Sequence, residues 1–332
     1  MANYWKRGNN KITARVTVPG SGGRRETKTF DTKREARRWA ESIEDGDAVV
    51  PVEKRTLADL ADLFLREEVP KKRNDGVKFD VNRIKFYRER FPALFAKTLH
   101  EIRRQDIEAL IDIRLTEVKS STVNRDLNLI SSMMTHARRI EWMTNNPFDS
   151  LRRPKSPAPR DRRITTEEIT QILTALGYRE GVELKYHRHK VAVAFLLAIE
   201  TAMRCGEMCK IRWIDVHIDE RWLFLPGENT KTMQTRKIPL SPEAIRLINL
   251  LPRDGDLILG ISVRSLDAEF RKARDKTDIV DLHFHDTRHE ATTRLASKVH
   301  VLDLARITGH SDIKQLQTYY NRDARELADL LA

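Results

Sequence analysis

The stretch "GHSDIKQLQTYYNRD" (residues 309–323) sets Tyr319 and Tyr320 side by side, nine and ten positions after His310. By itself it has a plain reading: two aromatics on a helix, one ring buried and one hydroxyl kept in water. The alternative makes one phenol a nucleophile. A tyrosine hydroxyl, with a pKa of about 10, attacks only when a base removes its proton or cations stabilise its anion. Groups elsewhere in the chain decide between the two.

Working back from the doublet, "LHFHDTRHEATTRLA" (282–296) holds His283, His285, Arg288 and His289. "AFLLAIETAMRCGEMCKIRW" (194–213) is an apolar helix running into Arg204, with Glu207 three residues on. An arginine in so apolar a setting must be paired or must meet an anion. "ERWLFLPGENTKTMQTRKIPL" (220–240) reads as a hairpin, strand "WLFL", a polar tip with Lys231, and a strand ending at Ile238. A His-x-His pair can bind zinc, but no Cys or Glu set accompanies it and Arg288 would repel a cation. No metal is therefore expected. Two arginines, a lysine, two histidines and a late tyrosine suit a phosphodiester. The arginines would grip non-bridging oxygens and neutralise charge in the transition state. A lysine would protonate the departing 5′-oxygen. Fixed cations replace a metal, and a phosphotyrosine ester conserves bond energy, so no cofactor is expected.

Bulk composition agrees. The chain has 332 residues, 40% of them hydrophobic and 33% charged, with a formal net charge of +12. Its length suggests two or three domains, and a protein this basic commonly meets nucleic acid. No apolar run of membrane-spanning length or secretory leader is visible, so the expected location is the cytoplasm of a bacterial host, with no membrane partner. Cys205 and Cys209 are read as reduced thiols.

Along the chain, Ile12, Ala14, Val16 and Val18 alternate with Thr13, Arg15 and Thr17, the mark of a half-buried strand. "RETKTF" reads as the returning strand, and Thr32 with Glu35 forms a capping box opening a helix with Ala36, Trp39, Ala40 and Ile43 on one face. Thr56 and Asp59 cap a second helix, and apolar stripes predict three more in "FDVNRIKFYRERF", "RQDIEALIDIRLTEV" and "SSTVNRDLNLISSMMTHARRIEWM". "DSLRRPKSPAPRDRR" (149–163) is the clearest boundary, an extended basic segment able to follow a phosphate backbone. Thr165 and Glu168 then cap the first helix of a third region. The expected fold is multidomain and mainly α: a small N-terminal sheet-plus-helix domain, a helical domain, and a mainly-α catalytic domain with a small β-hairpin.

The third region resembles the tyrosine recombinases, the phage integrase family, through "TAMRCGEM", "TKTMQTRKIPL", "HDTRH" and "TGHSDIKQLQTYYN" in family order. The resemblance implies Arg204 and Arg288 as the catalytic arginines, Lys231 as the hairpin lysine (with Lys237 a second candidate), and His285 and His310 as the motif histidines. It implies Tyr319 as the nucleophile, supported by Glu207 and His289. "TAMR" replaces the commoner Thr-Gly, and Thr308 stands where leucine usually precedes Gly-His; neither is expected to touch the chemistry. The resemblance further implies an arm-type DNA-binding domain over 1–50, a core-site-binding domain over 55–150, a linker over 151–163, and a catalytic domain with a C-terminal tail helix over 164–332. DNA contacts are expected from Arg24, Arg25, Lys28, Asn124, Arg125, Arg152, Arg153 and Lys155. Implied partners are double-stranded DNA at core and arm sites and a homotetramer, with room for a host DNA-bending protein and an excision directionality factor. The implied function is site-specific integration and excision of phage or mobile-element DNA. A Xer-like resolvase, a type IB topoisomerase and a non-enzymatic DNA-binding regulator are the alternatives.

Overall fold

The computed structural model describes residues 2–6, 11–17, 25–44, 54–158, 160–181, 183–230 and 233–320. Arg24, Lys231 and the expected tail helix lie outside them. The chain divides into two compact units, Met1–Ala158 and Pro159–Ala332.

In the first unit, β1 (Asn3–Lys6), β2 (Ile12–Thr17) and β3 (Arg25–Phe30) form an antiparallel sheet in that order, followed by α1 (Lys33–Glu44). Ala14 and Val16 point at Ala36, Trp39, Ala40 and Ile43 of α1, as the alternation predicts. Thr13 departs from the pattern: it is buried, and its hydroxyl is 2.9 Å from that of Thr29 across the ladder. The first strand is not readable from apolar alternation because all four of its residues are exposed. The capping box holds, with Thr32 and Glu35 exchanging backbone-to-side-chain bonds of 3.2 Å.

The same unit contains a separate helical core built from α2 (Leu57–Glu67), α3 (Asn74–Arg90), α4 (Pro92–Ala96), α5 (Arg104–Glu117) and α6 (Ser120–Arg139). Leu57, Leu60, Ala61 and Phe64 of α2 are buried, and the Thr56–Asp59 box closes in both directions. The last helix stops short of the predicted "IEWM" because Glu141 takes a left-handed φ of 65°. Asn124 on this helix donates to the Pro154 carbonyl (2.8 Å) and to the Ser156 hydroxyl (3.1 Å), and Arg153 reaches Asn128 at 2.5 Å. Asn124 and Arg153, two of the expected DNA contacts, thus also hold the first half of the linker against this helix. Arg25, Lys28, Arg125, Arg152 and Lys155 are exposed.

The second unit contains α7 (Thr166–Ala175), α8 (His187–Thr201), α9 (Cys205–Met208), β4 (Val216–His217), β5 (Trp222–Leu225), β6 (Arg236–Pro239), α10 (Pro242–Asn249), α11 (Val263–Arg274), α12 (Asp286–Ala296) and α13 (Val301–Thr308). It ends, among the described residues, in a 3-10 segment, Ile313–Tyr319, which takes in the first of the two tyrosines. The central helix α8 buries Val191 to Ala198 almost all round and lies against α10, α11 and α12. A helix apolar on every face must be wrapped by others. The predicted hairpin gains β4 as a third, antiparallel strand. Leu223, Leu225 and Ile238 face the core.

The second half of the linker is not a free basic tether. Arg160 grips Asp286 at 2.7 and 2.8 Å, Arg162 pairs with Glu168, and Arg163 reaches the buried Glu290 at 2.6 Å. Three arginines of the expected phosphate-tracking run are thereby neutralised, two of them by α12, the helix that carries Arg288.

Candidate active site

The site begins where α8 ends. Ala202 caps that helix in a left-handed conformation, φ 54°, turning the chain so that Arg204 leads into α9. Glu207, one turn on and only 2% exposed, accepts from the Arg204 backbone N–H at 3.0 Å and from its guanidinium at 2.8 Å. Burial raises the Glu207 pKa, but the Arg236 and Arg204 cations override it and keep the carboxyl below its ordinary range.

Arg236 is a site residue that the motif reading missed. Its guanidinium donates to Glu207 at 2.7 Å, and its Nε donates to the Ile307 carbonyl at 3.1 Å. One side chain of β6 therefore ties the first arginine motif to the end of α13. The signal was present in period two: Ile238 faces inward, so Arg236 must also. By the same period Lys237 faces out, its Nζ 3.9 Å from the centre of the Trp222 ring. Gly309 makes the approach possible, since a Cβ there would stand 2.7 Å from the Arg236 guanidinium, and its φ of 71° is left-handed as well.

Arg288, 6% exposed, rises from the first turn of α12. It donates to the Ala202 carbonyl and to the Thr308 carbonyl, both at 2.7 Å, and lies 3.5 Å from His310 Nε2. Burial, then the neighbouring Arg204 charge, makes its proton less tightly held than an ordinary arginine's. His310 follows the α13 cap, and its Nδ1 is 2.6 Å from the Thr308 hydroxyl. Burial and the three arginines push its pKa down to about 4, so the ring is neutral near pH 7. Thr308 therefore touches a candidate site residue. His285 caps α12, and its imidazolium is disfavoured by desolvation and then by the Arg288 charge.

The Tyr319 ring packs against His289, centroids 5.0 Å apart, and His289 Nε2 is 3.3 Å from Asp161. Desolvation raises the Tyr319 pKa, while the Arg288 charge pulls it the other way. Tyr320 turns elsewhere and donates to the Val299 carbonyl at 2.9 Å. His283 stands apart, 3.9 Å from Asp281. Cys205 and Cys209 are both free thiols.

Three guanidinium groups and one buried carboxylate thus surround a neutral imidazole, with a phenol close enough to feel the charge of Arg288. Such a surplus of positive charge suits an anion. Among the described residues, one grouping could offer three metal ligands, Glu67, Glu68 and His136. It lies in the other unit, and Arg139 and Lys71 already hold Glu68 at 2.6 and 2.7 Å.

The phage integrase family profile matches residues 162–326. A Haemophilus influenzae chain with an integrase/recombinase name is 38% identical over 280 residues, 82% of this chain and 89% of that one. The chain belongs to the phage integrase family. It is a tyrosine recombinase, of the class that cuts and rejoins DNA. The shufflon-specific DNA recombinase of Escherichia coli is 32% identical over 84% of this integrase-family chain and 72% of its own length. Lambda integrase, solved as a dimer bound to a COC′ core site, superposes with a TM-score of 0.67 at 19% identity, over 97% of this chain and 95% of that one. That likeness is one of fold, and it matches the small N-terminal sheet and mainly helical architecture seen here.

Proposed function

We propose that this tyrosine recombinase integrates and excises phage or mobile-element DNA at specific sites, acting on double-stranded DNA as a homotetramer. One observation carries the chemistry: Arg204, Arg236 with Glu207, Arg288 and His310 converge at the α8–α9 turn, and the Tyr319 ring packs against His289, the residue next to Arg288 on α12. Tyr319 Oη attacks the scissile phosphorus, and its proton passes to a base, for which His285 is the candidate. The P–O5′ bond breaks, leaving a 3′-phosphotyrosine and a 5′-oxygen that takes a proton from Lys231. The outward direction of Lys237 favours Lys231 for that role. Arg204 and Arg288 hold the non-bridging oxygens and offset charge as it develops. Residues 1–50 and 55–150 serve as the arm-type and core-type DNA-binding domains. The presence of the first of these supports integration over a Xer-like resolution role.

Trapping on a nicked suicide duplex, followed by mass mapping of the adduct peptide, tests the assignment. The adduct is expected on Tyr319. A plasmid carrying two sites then separates strand exchange from simple relaxation, because only recombination rearranges the flanking sequence. Relaxation without rearrangement would favour the topoisomerase reading.

A further inference from the structure

The Thr308 hydroxyl has one proton and two neighbours that could take it, the Leu304 carbonyl at 2.7 Å and His310 Nδ1 at 2.6 Å. A carbonyl oxygen can only accept, and a helical threonine commonly bonds back to the fourth preceding carbonyl. The hydroxyl proton therefore goes to Leu304, and the Thr308 oxygen is left to accept from Nδ1–H. The other side of the ring agrees. Nε2 lies 3.5 Å from the Arg288 guanidinium, which can only donate, so that nitrogen presents a lone pair. Thr308 is fully buried, so bulk water does not compete for its hydroxyl.

We propose that Thr308 is a positioning residue that fixes the His310 proton on Nδ1 and holds Nε2 as a bare acceptor in the phosphate site. This rests on the placement of His310 in that site made above. A neutral ring so arranged has no N–H to give a phosphate oxygen. His310 must first take a proton from solvent at Nε2, becoming an imidazolium that donates to the oxygen. The groups facing it are Arg288 from α12, Arg204 from the α8–α9 turn and Arg236 from β6, with Glu207 the carboxylate between the last two. These cations oppose protonation until an anion arrives, so proton uptake is coupled to DNA binding. Cleavage then weakens as pH rises through the His310 pKa of the DNA complex.

The first test reads the tautomer directly. In protein labelled with ¹⁵N-histidine and free of DNA, the His310 signals are identified by their loss in His310→Asn. Wild type and Thr308→Ser are expected to carry the proton on Nδ1, and Thr308→Val to move it to Nε2. A wild-type proton on Nε2 overturns the proposal, whether or not the valine variant folds. The second test is single-turnover cleavage of suicide DNA against pH. The ratio of the Thr308→Val rate to the wild-type rate should climb with pH, by about tenfold per unit once past the His310 pKa, while Thr308→Ser tracks wild type. Taking the ratio cancels titrations shared by both proteins, and a flat ratio overturns the coupling to proton uptake. Should the spectra behave as expected while His310→Asn cleaves at the wild-type rate, the tautomer stands and the placement of His310 in the phosphate site is what fails.

Discussion

Two adjacent phenols serve different ends. Tyr319 packs beside His289 and feels the Arg288 charge, whereas the Tyr320 hydroxyl is committed to the Val299 carbonyl. Tyr319→Phe should abolish the covalent adduct on suicide DNA. Tyr320→Phe should keep it and lose about 1 kcal/mol in denaturant unfolding, the usual worth of one hydrogen bond. The reverse pattern would assign the nucleophile to the wrong ring. Ala202 gives a second test at this scale. It sits at φ 54°, where a side chain costs roughly 1–2 kcal/mol and glycine costs nothing. After the entropy that glycine restores to the unfolded chain, Ala202→Gly should stabilise by about 0.5–1 kcal/mol, read as a raised denaturation midpoint. The "TAMR" departure from Thr-Gly is therefore a strain at the seat of Arg288, whose guanidinium bonds to this residue's carbonyl.

Among elements, β6 acts on the site through Arg236. Removing that side chain frees Glu207 from one of its two arginine partners and leaves the Ile307 carbonyl without this donor. Arg236→Ala should slow single-turnover cleavage by about 10²-fold, comparable to losing one well-placed oxyanion donor. On a methylphosphonate substrate, which lacks the charged oxygen, the loss should shrink, because less charge then depends on the positioning of Arg204. Equal losses on both substrates would mean that Arg236 serves only the fold. The contrast with the capping boxes shows what was legible in the sequence. Thr32–Glu35, Thr56–Asp59 and Thr165–Glu168 are local devices, each complete within four residues, and all three form as read. Arg236, Thr308 and the Arg163–Glu290 pair act across 29, 2 and 127 positions. Even the shortest of these was hidden, because the meaning of Thr308 depends on which way the next turn throws His310. The strand β1 was hidden for the opposite reason: it is held by ladder bonds and buries none of its side chains.

For the molecule as a whole, the net charge of +12 governs the encounter with DNA. Affinity should fall steeply with salt, each neutralised phosphate adding roughly −0.9 to the log–log slope, measured by anisotropy titration over a range of salt concentrations. A flat dependence would rule out an extended phosphate-tracking surface. The slope should also be smaller than the basic count between 149 and 163 suggests, because Arg160, Arg162 and Arg163 are already satisfied by carboxylates. Charge inside the site answers a different demand. Arg204, Arg236 and Arg288 less Glu207 leave a surplus of two positive charges around the pocket. A resting phosphodiester carries one negative charge, and the five-coordinate arrangement through which it must pass approaches two. The buried glutamate thus offsets one of those cations, and the fixed surplus, joined by Lys231 and by the proton that His310 takes up, favours the more highly charged fleeting species over the phosphodiester at rest.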